Sequence, residues 1–243
     1  MMDAIRTEGL TKRYGDVMAV DGLNLTVKPG ELFALLGVNG AGKTTTIKML
    51  SCLTRPTSGD AFLNGASVIA DPAAVKAQIA VSPQETAVAP GLTVKENLAL
   101  MCGIHGLTRE EQRMRVGELT ARLGLASVSE KKAGKLSGGW QRRLSIAMAL
   151  VSEPEILFLD EPTLGLDVIA RSELWDIIRS LKGRVTIVLT THYMEEAEAL
   201  SDRIAIMKDG KLLMCDTPDG IKAAAGESSI ERAFIRIVRG MDQ

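Results

Sequence analysis

Apolar residues along this chain follow two rhythms. Short unbroken runs alternate with longer stretches whose apolar positions recur every three or four residues. The runs at 32–36 (L-F-A-L-L), 156–159 (I-L-F-L) and 185–189 show no polar alternation. Strands buried on both faces of a parallel sheet read this way. Residues 3–36 predict short strands joined by turns: 20–27 alternates roughly, and Pro29-Gly30 breaks the pattern before a buried strand over 31–36. Gly59 and Asn64-Gly65 predict a short hairpin over 58–68. A further strand is expected over 77–82, ending at Pro83-Gln84.

The longer rhythm predicts helices over 43–50 and through 93–125. Within the latter, Thr93 with Glu96, and Thr108 with Glu110 and Glu111, have the spacing of helix starts. Another helix is expected over 144–151, stopping before Pro154. The 156–159 run, a helical stretch over 169–181 and the 185–189 run make a βαβ unit. Residues 204–207 and 211–214 flank Asp209-Gly210 as a hairpin, and the chain is helical from Pro218 onward. No repeat, low-complexity tract or long linker divides it. The expected organisation is one nucleotide-binding core over 1–84 and 151–217, a helical block inserted over about 85–150, and a short C-terminal helical element over 218–243.

Composition narrows the classes. Hydrophobic residues at 46% and charged residues at 24% give 243 residues enough core for a globular fold. A net charge of −1 supplies no global field for nucleic acid, and 3% aromatics leave few stacking platforms, so no nucleic-acid partner is expected. Cys52, Cys102 and Cys215 are far apart and read as small core residues in a reducing, cytoplasmic compartment. The N-terminus carries no basic-then-apolar signal pattern, and no window spans a bilayer. A membrane role would need a partner.

The sharpest local chemistry is at 37–45. Gly37, Val38, Asn39, Gly40, Ala41, Gly42, Lys43, Thr44 and Thr45 follow the buried 31–36 strand and open a helix. Strand, glycine loop, Lys-Thr and helix form a phosphate cradle: the glycines turn the backbone N–H groups inward and the helix start adds partial positive charge. Lys43 can reach the β- and γ-phosphates, and the Thr44 hydroxyl can ligate Mg²⁺. At the end of the 156–159 run stand Asp160 and Glu161. Two adjacent anions at a sheet's carboxyl edge need a compensating cation. Asp160 is assigned to the Mg²⁺ shell and Glu161 to the attacking water as general base; a plain D-E-P turn is the alternative. Ser137, Gly138 and Gly139 (L-S-G-G-W-Q) make a second anion-binding helix start, which a head-to-tail partner chain would bring to the γ-phosphate. A simple helix cap is the alternative there. His192 follows Thr190-Thr191 at the same sheet edge, where a γ-phosphate contact is sensible. His105 has no such setting and reads as a loop or helix-end residue.

These motifs, in this order, resemble the ATP-binding cassette (ABC) ATPases, the nucleotide-binding subunits of transporters, nearly from end to end. The resemblance implies an α/β fold: a P-loop NTPase core with a mainly parallel sheet, an antiparallel β subdomain and an inserted α-helical subdomain. It implies ATP and Mg²⁺ as ligands, and catalytic parts for Lys43, Glu161, His192 and Gln84. Gln84 (V-S-P-Q-E) would also contact the metal. Tyr14 (K-R-Y-G-D) would stack on adenine, though a half-buried surface tyrosine is the plain reading. Asp167 (T-L-G-L-D) would face a partner subunit and can also cap the next helix. Val38 stands where the family often has Pro, and Trp140 where the signature often has Gln. The segments L-S-G-G-W-Q-R-R-L and T-T-H-Y-M-E-E-A-E look like the branch that works with ABC-2-type export permeases. That implies an ATP-dependent homodimer on the cytoplasmic face of a membrane, held there by an integral-membrane permease. Residues 85–106, with the apolar segment 87–100, would meet that permease. A soluble ABC ATPase with no permease, such as one in iron–sulfur cluster assembly, stays open beside it. A kinase or GTPase has no use for the Ser-Gly-Gly helix start or the Thr-Thr-His edge.

Overall fold

The computed structural model describes residues 3–240. The last three residues of the expected 218–243 element lie outside the described residues. The chain runs β1 (Ile5–Tyr14), β2 (Val17–Leu23), β3 (Thr26–Val27), β4 (Leu32–Gly37), α1 (Lys43–Leu50), β5 (Ser58–Leu63) and β6 (Ala66–Ser67). It continues with α2 (Pro72–Ala77), β7 (Ile79–Ser82), α3 (Val94–Ile104), α4 (Arg109–Arg122), α5 (Gly138–Ala149) and β8 (Ile156–Asp160). Then come α6 (Val168–Leu181), β9 (Thr186–Thr191), α7 (Met194–Leu200), β10 (Arg203–Lys208), β11 (Lys211–Asp216), α8 (Pro218–Ala225) and α9 (Ile230–Gly240).

The central sheet has the order β11-β10-β4-β9-β8-β7. Its strands are parallel except β11, which hairpins back on β10. Alternate residues of one strand enter different cores. Leu32, Ala34, Leu36, Leu157, Leu159, Ile187 and Leu189 face the helices that cover one side. Phe33, Leu35, Ile156, Phe158 and Val188 face α1 and an antiparallel sheet in which β1 pairs with β2, β3 and β5. Burial on both faces is why these strands carry no polar alternation.

The register decides where chemistry is placed. Leu36 pairs with Thr191, Asp160 with Thr190, and Leu159 with Ser82. The chain therefore leaves β4, β9, β8 and β7 side by side at one sheet edge, delivering the glycine loop, His192, Asp160-Glu161 and Gln84 together.

Several boundaries differ from expectation. β1 is ten residues long rather than short. The 20–27 alternation is split between β2 and β3, with Leu25 reaching back to the Thr7 hydroxyl in between. The strand expected over 77–82 begins only at Ile79, because Asp71 caps the short α2 before it through the Ala74 N–H. The helix expected over 144–151 begins at Gly138 and ends in a 3₁₀ turn over Leu150–Ser152. β9 runs on through Thr191. The 93–125 stretch divides at His105, which ends α3, and both Thr93 and Thr108 form full capping boxes with Glu96 and Glu111. Within the apolar segment 87–100, Val94 and Leu98 are core residues; Ala87 and Leu100 are exposed, as is Ile104 beyond it. Cys102 is buried, Cys52 and Cys215 are half-buried, and all three are free thiols.

Candidate functional site

The glycine loop is shaped by close contacts. Gly42 has φ 100°, and a Cβ there would come within 2.4 Å of the Ala19 carbonyl oxygen. A Cβ on Gly37 would press the Met207 carbonyl at 2.5 Å. Neither position has room for a side chain, and Gly42 also needs a left-handed backbone. α1 starts on Gly42 with no side-chain cap, so its first N–H groups stay open toward the loop.

Lys43 is buried at the base of this loop. Its Nζ donates to the Gly37 and Val38 carbonyls at 2.8 and 3.2 Å and lies 3.7 Å from Glu161 Oε1. Burial lowers its pKa from the ordinary lysine value, and the charges of Glu161 and Asp160 oppose that shift. Asp160 Oδ1 accepts from the Thr44 hydroxyl at 3.1 Å and the Thr190 hydroxyl at 2.5 Å. Glu161 sits at φ 47°, a conformation that non-glycine residues rarely adopt. Its N–H is held there by Thr190, through the carbonyl at 3.1 Å and the hydroxyl at 3.0 Å. His192 Nδ1 lies 3.1 Å from Glu161 Oε2. The two are out of line for a hydrogen bond, and among the described residues that buried nitrogen has no bonded partner.

A cleft of about 570 Å³ gathers most of the predicted set. It is lined by Tyr14, Asn39, Gly40, Ala41, Gly42, Lys43, Thr44, Thr45, Gln84, Glu161 and His192. Gly37 and Asp160 lie buried just beneath. Tyr14, 47% exposed, stands at the β1–β2 turn beside Val17 and Met18, which line the same end. A groove of about 600 Å³ along α3 and α4 has neither a glycine loop nor a paired carboxylate. The cleft's donor set fits Mg²⁺. Asp160 and Thr44 offer hard carboxylate and hydroxyl oxygens, and such ions commonly complete their shell with phosphate oxygens and water. Among the described residues no cluster of three or more His, Cys, Asp or Glu would hold a metal alone.

Ser137, Gly138 and Gly139 are not in the cleft. Ser137 occupies the N-cap position of α5, but among the described residues its side chain makes no capping bond. The simple helix cap weighed as the alternative reading is therefore not formed. Gly139 has a packing reason of its own, since a Cβ there would meet Ala170 of α6 at 3.0 Å. Asp167 does cap, accepting from the Ile169 and Ala170 N–H groups at 2.9 Å each. Trp140 packs on the helical core beneath the Arg143 guanidinium, 4.6 Å from its ring centroid.

Sequence reasoning passed over three residues. Arg142, one turn into α5, donates to the Pro83 and Gln84 carbonyls at 2.6 and 2.5 Å and so ties that helix to the glutamine segment. Burial lowers its pKa against the pull of Asp160 and Glu196. Thr190 holds Asp160 and Glu161 together. Glu196 is wholly buried behind His192. The R-R and T-T pairs were visible in sequence, but which member points inward depends on packing.

Comparison with known proteins agrees with this arrangement. Residues 20–164 match the ABC transporter family. The chain is 43% identical over 229 residues to the daunorubicin resistance ATP-binding protein DrrA3 of Streptomyces coeruleorubidus, spanning 94% of this chain and 72% of that protein. It is 46% identical over 208 residues to the Nod factor export ATP-binding protein I of Burkholderia pseudomallei, spanning 85% and 68%. Among solved structures it resembles the dimeric ATP-binding cassette MJ0796 bound to ADP and Pi. There the TM-score is 0.78 and the identity 27%, covering 88% of this chain and 98% of that one. With the family matched over more than half its length, this chain belongs to the ABC transporter family and is one of its ATP-binding, ATP-hydrolysing subunits.

Proposed function

We propose that two copies of this chain form an ATP-dependent head-to-tail dimer that holds two ATP and drives an export permease in the membrane. One observation carries this reading. The cleft supplies Lys43, Glu161, Gln84 and His192 at one sheet edge, with Asp160 buried beneath them, while the uncapped Ser137 helix start lies outside it. A second copy is the simplest source of the missing wall.

Each residue then has a part. Tyr14 offers its exposed ring to the base. The open N–H groups of the glycine loop and Lys43 take the phosphates. Thr44 and Asp160 hold Mg²⁺, with Gln84 beside them; the ion neutralises charge on the phosphate oxygens when bound. Glu161 takes a proton from the attacking water. His192 meets the γ-phosphate, and the partner's Ser-Gly-Gly start caps it from across the interface. Asp167, exposed beside α5, faces that same interface. We read residues 1–84 and 151–217 as the nucleotide-binding core, about 85–150 as a helical subdomain, and 218–243 as an accessory element. The relatives named for daunorubicin resistance and Nod factor export support the export direction and leave the cargo open. No described helix is long and apolar enough to cross a membrane. On this reading a permease holds the chain at the cytoplasmic face, contacting residues 85–106.

Mixed dimers test the shared site. Lys43→Ala and Ser137→Arg chains should each be inactive alone. Mixed, they should recover a substantial part of wild-type hydrolysis, because each heterodimer has one intact site. No recovery, with heterodimers shown to form, would overturn the head-to-tail arrangement.

A further inference from the structure

Among the described residues, Glu196 is the one buried acid near the cleft that the mechanism above leaves idle. It lies on α7, four residues past His192, and is 0% exposed. Its Oε1 accepts from Trp175 Nε1, on α6, at 3.2 Å. The Thr163 and Thr191 hydroxyls face the same carboxyl. Thr163 begins the segment that runs to Asp167, and Thr191 ends β9 immediately before His192. From α5, Arg142 faces Glu196 by charge while gripping the Gln84 carbonyl. From α6, Arg171 faces it too and lies 5.5 Å from the Tyr193 ring. Two segments that border the cleft, 163–167 and the end of β9, and the helices α5 and α6 behind them therefore meet at one carboxyl.

A purely structural residue would not need to be an acid here. Burial raises the pKa of this carboxyl from the ordinary glutamate value, against the pull of the surrounding hydroxyls and Arg171. A leucine or methionine of similar volume would fill the space without that penalty. Among the described residues, Glu196 Oε2 and Thr163 Oγ1 both lack a formed hydrogen bond. Buried polar atoms are nearly always paired, and the Thr163 hydroxyl is the nearest donor offered to this carboxyl besides Trp175 and Thr191.

We propose that Glu196 is a positioning residue for ATP hydrolysis. Its carboxyl ties the 163–167 loop, through the Thr163 hydroxyl, to the turn at 191–193, and that tie sets the spacing of Glu161 and His192 across the cleft. This rests on the parts assigned above to those two residues. Glu196 touches no reacting atom and acts through Thr163 and Thr191.

The test uses the full chain carrying Glu196→Leu, Glu196→Gln, Thr163→Val, and Thr163→Val combined with each Glu196 variant. The readouts are kcat and KM for Mg-ATP together with Tm. Glu196→Leu should lower kcat about tenfold or more with KM changed less than about twofold. Glu196→Gln, which keeps an acceptor for Trp175 and can still bond the hydroxyls, should restore most of it. Thr163→Val should lower kcat, and adding Glu196→Leu should cost little more, since the two act as one unit. Should the leucine variant fail to fold, the comparison of Thr163→Val alone with Thr163→Val in the Glu196→Gln background carries the same logic. Wild-type kcat in Glu196→Leu, an amide variant as impaired as leucine, or strictly additive losses would each overturn the proposal. Wild-type protein that does not hydrolyse ATP would instead remove the reading it rests on.

Discussion

Helix starts in this molecule are of two kinds. α2, α3, α4, α6 and α8 each begin on a side chain that closes the first turn: Asp71, Thr93, Thr108, Asp167 and Thr217. α1, α5 and α7 begin on Gly42, Ser137 and Tyr193 and, among the described residues, have no side-chain cap; α7 carries Glu195 and Glu196 in its own first turn, whereas α1 and α5 carry no acid there. The capped starts satisfy their own N–H groups and need nothing further. The acid-free open starts of α1 and α5 point unpaired N–H groups and a partial positive charge outward, which suits an anion. Ser137 is the instructive case. Serine is among the best capping residues, yet its hydroxyl is left unused within the chain. On the proposed reading, the contrast separates helix starts that serve stability from two that serve phosphate.

Substitutions can sharpen or break that contrast. The largest effect belongs to the open start of α1. Lys43→Ala should lower turnover by about two orders of magnitude or more, in line with losing a charge-stabilising donor, read by phosphate release. Next comes the open start of α5. Ser137→Ala should cut hydrolysis about tenfold while shifting Tm by no more than about 2 °C, because no capping bond is lost. A large Tm drop with full activity would mean that the serine is an ordinary cap. A capped start should behave in the opposite way. Thr93→Ala should cost about 1 kcal/mol of stability, seen by denaturant unfolding, and leave the ATPase rate unchanged.

The smallest effect is one of pH. The folded Glu196 carboxyl binds its proton more tightly than the unfolded one does. Its stability contribution is therefore full below the unfolded carboxylate pKa and is lost as pH rises through the folded value. Glu196→Gln has no such dependence. Its Tm relative to wild type should rise steadily with pH above the ordinary carboxylate range, measured by thermal melts in matched buffers.

Much of the site was legible because its strands are buried on both faces. That leaves unbroken apolar runs ending in G-V-N-G-A-G-K-T and D-E, and parallel pairing places those ends together. The capping boxes at Thr93 and Thr108 were legible because their partners are only three residues away. α2 was missed because six residues are too few for a helical rhythm to emerge. β1 was underestimated because Gly9 interrupts it and only three of its ten residues are buried. Glu196 was invisible for another reason: in M-E-E-A-E three glutamates look alike, and only the packing of α7 against β9 and α6 buries one of them. The unused Ser137 hydroxyl belongs to the same class, since residue type states a capacity and the surroundings decide its use.

The central claim is that Glu161 activates water in a site completed by a second copy of the chain. The most direct measurement compares Mg-ATP hydrolysis by wild type and Glu161→Gln, each run on size-exclusion chromatography with ATP. The account predicts that wild type turns over, while the variant is nearly inactive and elutes as an ATP-bound dimer. Wild-type turnover in the variant, with neither protein ever dimerising, would contradict it.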